Sequence, residues 1–260
     1  MTTEFIHAES SRQAEAAAKE GFVFLAGGTE LNNAYCRKWK NPAEKVISLR
    51  PLKLEGIAVQ GKSIRIGAMS TLQSIADSAL LPKALRTAAG FIPSRPIRNM
   101  ATIGGNIGAN RSDSALIPVL LALDARIISA NAQEMPLESW LASPCGLITE
   151  ILIPPLEGCC MAVKESRSFA ALPVVCAALR LAAKGGKLSQ AAVYAGCVAP
   201  HVVRLKNVEA AILGGADVEA AVKAAISPQG DVLGGAEYKR YINAVKIADT
   251  VKLCAAEVLE

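Results

Sequence analysis

Two short runs carry the residue types that hold phosphate: Leu25-Ala26-Gly27-Gly28-Thr29-Glu30-Leu31 and Ala101-Thr102-Ile103-Gly104-Gly105-Asn106-Ile107-Gly108-Ala109-Asn110. Each sets a Gly-Gly pair among small and hydroxyl residues. Glycine pairs let successive backbone N–H groups turn toward one point with no Cβ in the way. N–H groups so arranged form an anion-binding nest. Two nests would grip one pyrophosphate from opposite sides, with Thr29, Thr102 and Asn106 adding side-chain hydrogen bonds. A lone Gly-Gly marks an ordinary tight turn just as readily. The Thr in both runs, and Asn106 and Asp113 in and after the second, point to a ligand.

Other chemistries find little support. The only histidines are His7 and His201, and no Ser/His/acid set is arranged for nucleophilic catalysis. The seven cysteines never form Cys-x-x-Cys, and adjacent Cys159-Cys160 is a poor bidentate pair. Neither a zinc site nor an iron–sulfur cluster is expected within the chain. Reduced, mostly buried thiols suit a cytoplasmic protein. The start, Met1-Thr2-Thr3-Glu4, lacks a signal peptide's basic and apolar regions, and no apolar run spans a bilayer. The net charge of +5 is scattered, its richest cluster being Arg37-Lys38-Trp39-Lys40. A solvated face or a partner contact explains that cluster better than nucleic acid does.

The elements that must position these runs follow from periodicity and punctuation. With 260 residues, 52% hydrophobic and only 4% aromatic, the core rests on Ala, Val, Ile and Leu. Phe5–Ala8 reads as a strand, then a helix Arg12–Glu20 with Ser10-Ser11 as cap and Glu15 placed for a capping box. The buried strand Phe22–Ala26 delivers the first run. This β–α–β order begins a Rossmann fold too, but the glycines are not spaced G-x-G-x-x-G. Further strands are expected at Lys45–Leu49, a hairpin around Gly61-Lys62, Arg126–Ser129 and Leu147–Ile153. Helices are expected at Thr71–Ala79, Pro82–Ala89 and Ser114–Asp124, with a loop over Gly90–Met100. Pro154-Pro155 marks the main boundary. Beyond it, Met161–Lys164 is a strand, Val174–Ala183 is strand or helix, and Gly185-Gly186 turns into a strand at Gln190–Val198. Helices close the chain near Val203–Leu213, Val218–Ala225 and Ala236–Glu257.

The segments AGGTEL and ATIGGNIGANRSDSALIPVLLALDA resemble the FAD-binding subunit of the molybdenum hydroxylases, the family of the flavin subunits of xanthine dehydrogenases and aerobic carbon monoxide dehydrogenases. LITEILIP, AVKESRS, AGCVAPHVVRL and EYKRYINAVKIADTV continue the resemblance in order over nearly the whole chain. It implies that Leu25–Leu31 and Thr102–Asn106 grip the FAD pyrophosphate. It sets Asp113 near the ribose and adenylate; by position Asp113 serves equally as N-cap of the next helix. Ile148 matches a residue beside the flavin, and Ile92 and Ile103 pack against the ring or simply in the core. Lys164 matches a lysine at the isoalloxazine edge, where a positive charge favours the reduced form. Val174–Ala183 becomes a strand.

The implied fold is α+β: the two-subdomain FAD fold of vanillyl-alcohol oxidases and the cell-wall precursor reductase, about 1–53 and 54–155, with FAD held between the subdomains. A C-terminal α+β domain with a three-stranded sheet and helices covers 157–260. The implied function is electron transfer in a xanthine- or purine-directed molybdenum hydroxylase. Substrate is hydroxylated at molybdopterin in a large subunit, and electrons pass through [2Fe–2S] clusters of a small subunit to this FAD and on to NAD or another acceptor. FAD is expected to bind noncovalently, since no His or Cys is placed for a flavin linkage. Arg95 and Arg98 in the Gly90–Met100 loop are expected to dock the iron–sulfur subunit. After Lys164 the chain departs from the family pattern: Arg167 stands beside Ser168, Ala170 or Ala171 replaces an Asp, and Phe169 replaces a polar residue. The acceptor side is thereby left open. A stand-alone FAD-dependent reductase and a flavin-free assembly subunit are the alternatives; a yellow purified protein separates the last from the others.

Overall fold

A computed structural model describes residues 2–32, 43–155 and 157–259; Cys36 and the basic cluster Arg37–Lys40 lie outside the described residues. The chain opens with β1 (Glu4–His7), α1 (Ser11–Lys19), β2 (Val23–Leu25) and β3 (Lys45–Ser48). Ser10 caps α1 by accepting from Gln13 N–H, and the Gln13 side chain accepts from Glu9 N–H. Gln13, not Glu15, thus reaches back over the helix start, though to the residue before the cap. Glu15 instead accepts from Leu147 N–H at 3.0 Å, tying the helix to a distant strand approach. Next come β4 (Ile57–Gln60), β5 (Ser63–Gly67), α2 (Leu72–Asp77), α3 (Lys83–Gly90), α4 (Arg95–Met100), α5 (Ile103–Ala109) and α6 (Leu116–Ala122). Then follow β6 (Arg126–Ser129), β7 (Glu134–Pro136), α7 (Leu137–Ala142) and β8 (Ile148–Ile153).

The expected Gly90–Met100 loop contains α4. Ser94 caps that helix, and Pro96 sits in its first turn, where a missing N–H costs nothing. The second glycine run likewise is not a loop, since α5 begins at Ile103.

The C-terminal region is β9 (Cys159–Ser166), β10 (Pro173–Lys184), β11 (Lys187–Gly196), β12 (Val203–Arg204), α8 (Lys206–Leu213), α9 (Val218–Ala225) and α10 (Ala236–Leu259). The ambiguous stretch at 174–183 is a strand. Gly185 and Gly186 both take positive φ, as a two-residue hairpin turn demands.

Contacts divide the chain into two compact units, each assembled from three segments. The first comprises Met1–Leu80, Ser94–Ala109 and Ala125–Pro154. It holds a parallel sheet in the order β1-β3-β2 and an antiparallel sheet in the order β4-β5-β8-β6-β7. Ala8, Ala14, Phe22, Ile47, Leu49 and Leu147 form one of its cores.

The second unit comprises Leu81–Pro93, Asn110–Asp124 and Pro155–Glu260. Its sheet runs β12-β11-β10-β9: three long antiparallel strands with a two-residue edge. Ala244, Ile247, Val251 and Cys254 recur at helical spacing along α10 and bury against Val175, Leu179, Leu181 and Val193. Every residue of α6 is buried, and this helix packs on β10. So residues 81–93 and 110–124, early in the sequence, belong with the late sheet.

Candidate functional site

In the first unit, β2 ends at Leu25 and the chain enters a turn closed by Asn32 N–H on Gly28 O at 3.0 Å. Gly28 has φ +73, a region where a side chain is strained. Gly27 is glycine for another reason. A Cβ there would overlap the Met100 carbonyl and crowd Ala101 Cα, so its bare Cα lies on the α4–α5 junction. The N–H groups of Gly27, Gly28 and Thr29 have no acceptor among the described residues. Unpaired backbone donors in a half-buried turn are rare. They are the donor set that an anion would complete.

The second glycine run is built differently. Thr102 forms an isolated bridge with Thr71. Ile103 N–H donates to Ser70 O at 3.0 Å, Gly104 N–H to Ala68 O at 2.8 Å, Gly105 N–H to Thr102 Oγ1 at 3.1 Å and Asn106 N–H to Thr102 O at 2.9 Å. From Ile103 to Asn106 its backbone donors are taken by the protein itself, so these four N–H groups do not form the expected nest. The glycines there serve close approach. A Cβ on Gly104 would stand 2.8 Å from Ala68 Cβ and O, and one on Gly105 would stand 3.6 Å from Ala26 Cβ. The two runs thus lie against each other. Ile103 is fully buried and Ile148 nearly so, so both pack within the protein; Thr102 is also buried, whereas Gly104, Gly105 and Asn106 stay half-buried.

In the second unit, Lys164 on β9 donates from Nζ to Phe91 O at 3.0 Å and to Phe169 O at 3.1 Å. Phe91 is the C-cap of α3, so the ammonium meets a helix end whose carbonyls favour a cation. Desolvation by burial holds the Lys164 pKa below its ordinary value. Ile92, another expected flavin-side residue, follows directly on Phe91 in the chain. Phe169 lies 70% exposed, its ring 5.8 Å from the ammonium.

Asp113 is not the N-cap of α6. Ser114 Oγ accepts from Ile117 N–H, while both Asp113 oxygens take hydrogen bonds from Arg111 at 2.7 Å. Arg111 escaped the sequence reading because spacing alone does not distinguish a loop arginine paired two residues on from a solvated one. Nearby, burial pushes the Cys176 thiol well up and the Cys197 thiol up to about 12, so neither is poised as a nucleophile. Among the described residues no cluster of His, Cys, Asp or Glu is placed to hold a metal ion, and no helix is long and apolar enough to cross a membrane.

Residues 2–156 match the FAD binding domain in molybdopterin dehydrogenase, and residues 162–249 match the CO dehydrogenase flavoprotein C-terminal domain. The chain belongs to the FAD-binding subunits of the molybdenum hydroxylase family. It is 40% identical to the uncharacterized protein YgfM of Escherichia coli K12 over 258 residues, 98% of this chain and 97% of that one. It is 34% identical to the nicotinate dehydrogenase FAD-subunit of Eubacterium barkeri over 110 residues, 41% of this chain and 37% of that one. In fold it is similar to a carbon monoxide dehydrogenase chain of Hydrogenophaga pseudoflava, with TM-score 0.89 and 22% identity over 99% of both chains. The quinoline 2-oxidoreductase of Pseudomonas putida 86 is similar too, with TM-score 0.84 and 16% identity, covering 100% of this chain and 99% of that one.

FAD is thus the family's cofactor, and the first glycine run passes a test of fit for its diphosphate. The turn offers three open N–H donors and a half-buried Thr29. No acidic side chain beyond Glu30 stands in the run to repel an anion.

Proposed function

We propose that this chain is the electron-transferring FAD subunit of a xanthine- or purine-directed molybdenum hydroxylase of the cytoplasm. Its partners in this reading are a large molybdopterin subunit and a small [2Fe–2S] subunit, and the final acceptor is NAD or another oxidant. Bound noncovalently, FAD would supply the redox chemistry between the partner's clusters and the acceptor. The chain's own residues bind and orient it. Leu25–Leu31 hold the diphosphate, chiefly through Gly27, Gly28 and Thr29 N–H. Thr102, Gly104, Gly105 and Asn106 support that turn from beneath, and Asn106 adds a side-chain amide. Ile103 and Ile148 pack the scaffold. Lys164 keeps one of its three ammonium protons beyond the two carbonyls it holds and offers it, with its charge, at the flavin edge. Ile92 flanks it, and Asp113 receives ribose hydroxyls.

The observation that carries this reading is the turn at Gly27–Thr29, whose open donors lie beside the second glycine run in a chain of this family. Membership supports the partners, as does the nicotinate dehydrogenase relative, itself an FAD-subunit. Nicotinate, the substrate in that relative's name, is a nitrogen heteroaromatic like the purines, which supports the substrate class. The test is purification of the chain alone and with both partner subunits. The lone chain should be yellow, release its flavin into acid, and leave xanthine untouched; the complex should reduce an acceptor with xanthine. Flavin retained by the acid-denatured polypeptide contradicts noncovalent binding, and xanthine oxidation by the lone chain contradicts the subunit reading.

A further inference from the structure

The loop from Asn110 to Ser114 shows an alternation that the binding of FAD does not by itself explain. Its even-numbered carbonyls are fixed from outside. His201 Nδ1 meets Asn110 O at 3.1 Å, Cys197 N–H donates to Ser112 O at 2.9 Å, and Cys176 Sγ–H donates to Ser114 O at 3.3 Å. Gly196 brings a bare Cα against Ser112 O, where a Cβ would overlap it, and Cys197 accepts a φ of +62 to deliver its N–H. The odd-numbered side chains then pair with each other. Arg111 Nε reaches Asp113 Oδ1 and its terminal nitrogen reaches Oδ2, both at 2.7 Å. Three points of the loop backbone are thus held by groups other than the pair.

We propose that Arg111 is a positioning residue for the cofactor's ribose, acting through Asp113. This rests on the FAD reading above and deepens it. A forked guanidinium fixes the plane of a carboxylate as a single ammonium does not. It occupies one lone-pair direction on each oxygen and leaves the others to accept from hydroxyl groups. A vicinal diol, with two O–H donors side by side, is the ligand such a fixed carboxylate suits. The side chains are 33% and 20% exposed, so the ion pair itself contributes little to folding. Its worth lies in not having to order Asp113 at the moment of binding.

The test is FAD titration of the flavin-free chain, followed by flavin fluorescence, in a cycle of Arg111→Ala, Asp113→Asn and the double variant. Arg111→Ala should weaken FAD about tenfold, the scale of one charge-assisted contact. Arg111→Lys, which keeps the charge and lacks the fork, should recover little of it. In the Asp113→Asn background Arg111→Ala should leave FAD affinity unchanged, because the proposed effect on the ribose runs through the carboxylate. The flavin-free melting temperature should be the same in wild type and Arg111→Ala. Equal FAD affinity in wild type and Arg111→Ala overturns the inference while leaving the FAD reading intact. So does a full effect in the Asp113→Asn background, which would make Arg111 a direct ligand. A fall in flavin-free stability parallel to the loss of affinity would reduce the pair to a structural one. A wild-type chain that takes up no FAD removes the FAD reading, and this inference with it.

Discussion

The two glycine runs look alike in letters and differ in physics. At Gly27-Gly28 the chain leaves a strand, turns through a left-handed residue and leaves three N–H groups without an acceptor among the described residues. At Gly104-Gly105 the chain is already helical, and every N–H from Ile103 to Asn106 has a partner. In the first run one glycine is required by φ and the other by a neighbour; in the second the neighbour alone demands it. The lesson is that Gly-Gly states only that a Cβ is unwelcome. Whether it frees donors for a ligand or admits a backbone depends on what lies across from it.

The comparison breaks most readily at Gly27, where Ala would place a methyl into the Met100 carbonyl. We expect Gly27→Ala to destabilise the chain by about 3 kcal/mol or more, the upper end of overpacking costs. Chemical denaturation of the flavin-free chain measures it. A variant as stable as wild type would mean that the two runs do not touch. Gly104→Ala comes next. Its methyl would stand 2.8 Å from the Ala68 backbone oxygen, and we expect a loss of about 1–3 kcal/mol. Its remaining folded fraction should bind FAD with affinity near wild type, because the Gly104 N–H was never open to the ligand. Gly28→Val should show the opposite pattern. The nearest atoms are the side-chain ends of Leu25 and Asn32, so folding should lose only about 1–2 kcal/mol for the left-handed φ. FAD should be lost while the far-ultraviolet circular dichroism stays native. If Gly28→Val kept its flavin and Gly104→Ala lost it, the roles of the two runs would be reversed.

Much of this was legible in the sequence. Strand endings, the Gly185-Gly186 hairpin and the long Ala-rich terminal helix follow from punctuation and periodicity. Their determinants are local. What escaped depends on distant partners. Pro93 and Pro96 read as loop residues, yet Ser94 caps a helix in which Pro96 occupies the tolerant first turn. Gly104 and Gly105 read as a turn, since two glycines weaken a helix by about 1 kcal/mol each. Packing on Ala68 and the bridge between Thr71 and Thr102 hold that segment in place, and neither shows in the run itself. Asp113 read equally as a ribose contact and a helix cap, because spacing alone does not show that Arg111, two residues before it, pairs with its carboxylate. The grouping of α3 and α6 with the late sheet is a long-range fact that chain order conceals.

In the proposed site the open donors at Gly27 and Gly28, and not those at Gly104 and Gly105, meet the FAD diphosphate. Selective nitrogen-15 glycine labelling reads all four amides at once. In the flavin-free chain Gly27 and Gly28 should exchange their amide protons rapidly while Gly104 and Gly105 are protected. On adding FAD, the Gly27 and Gly28 resonances should shift and their exchange should slow, with Gly104 and Gly105 little changed. Equal protection of all four before FAD, or a response confined to Gly104 and Gly105, would contradict the account.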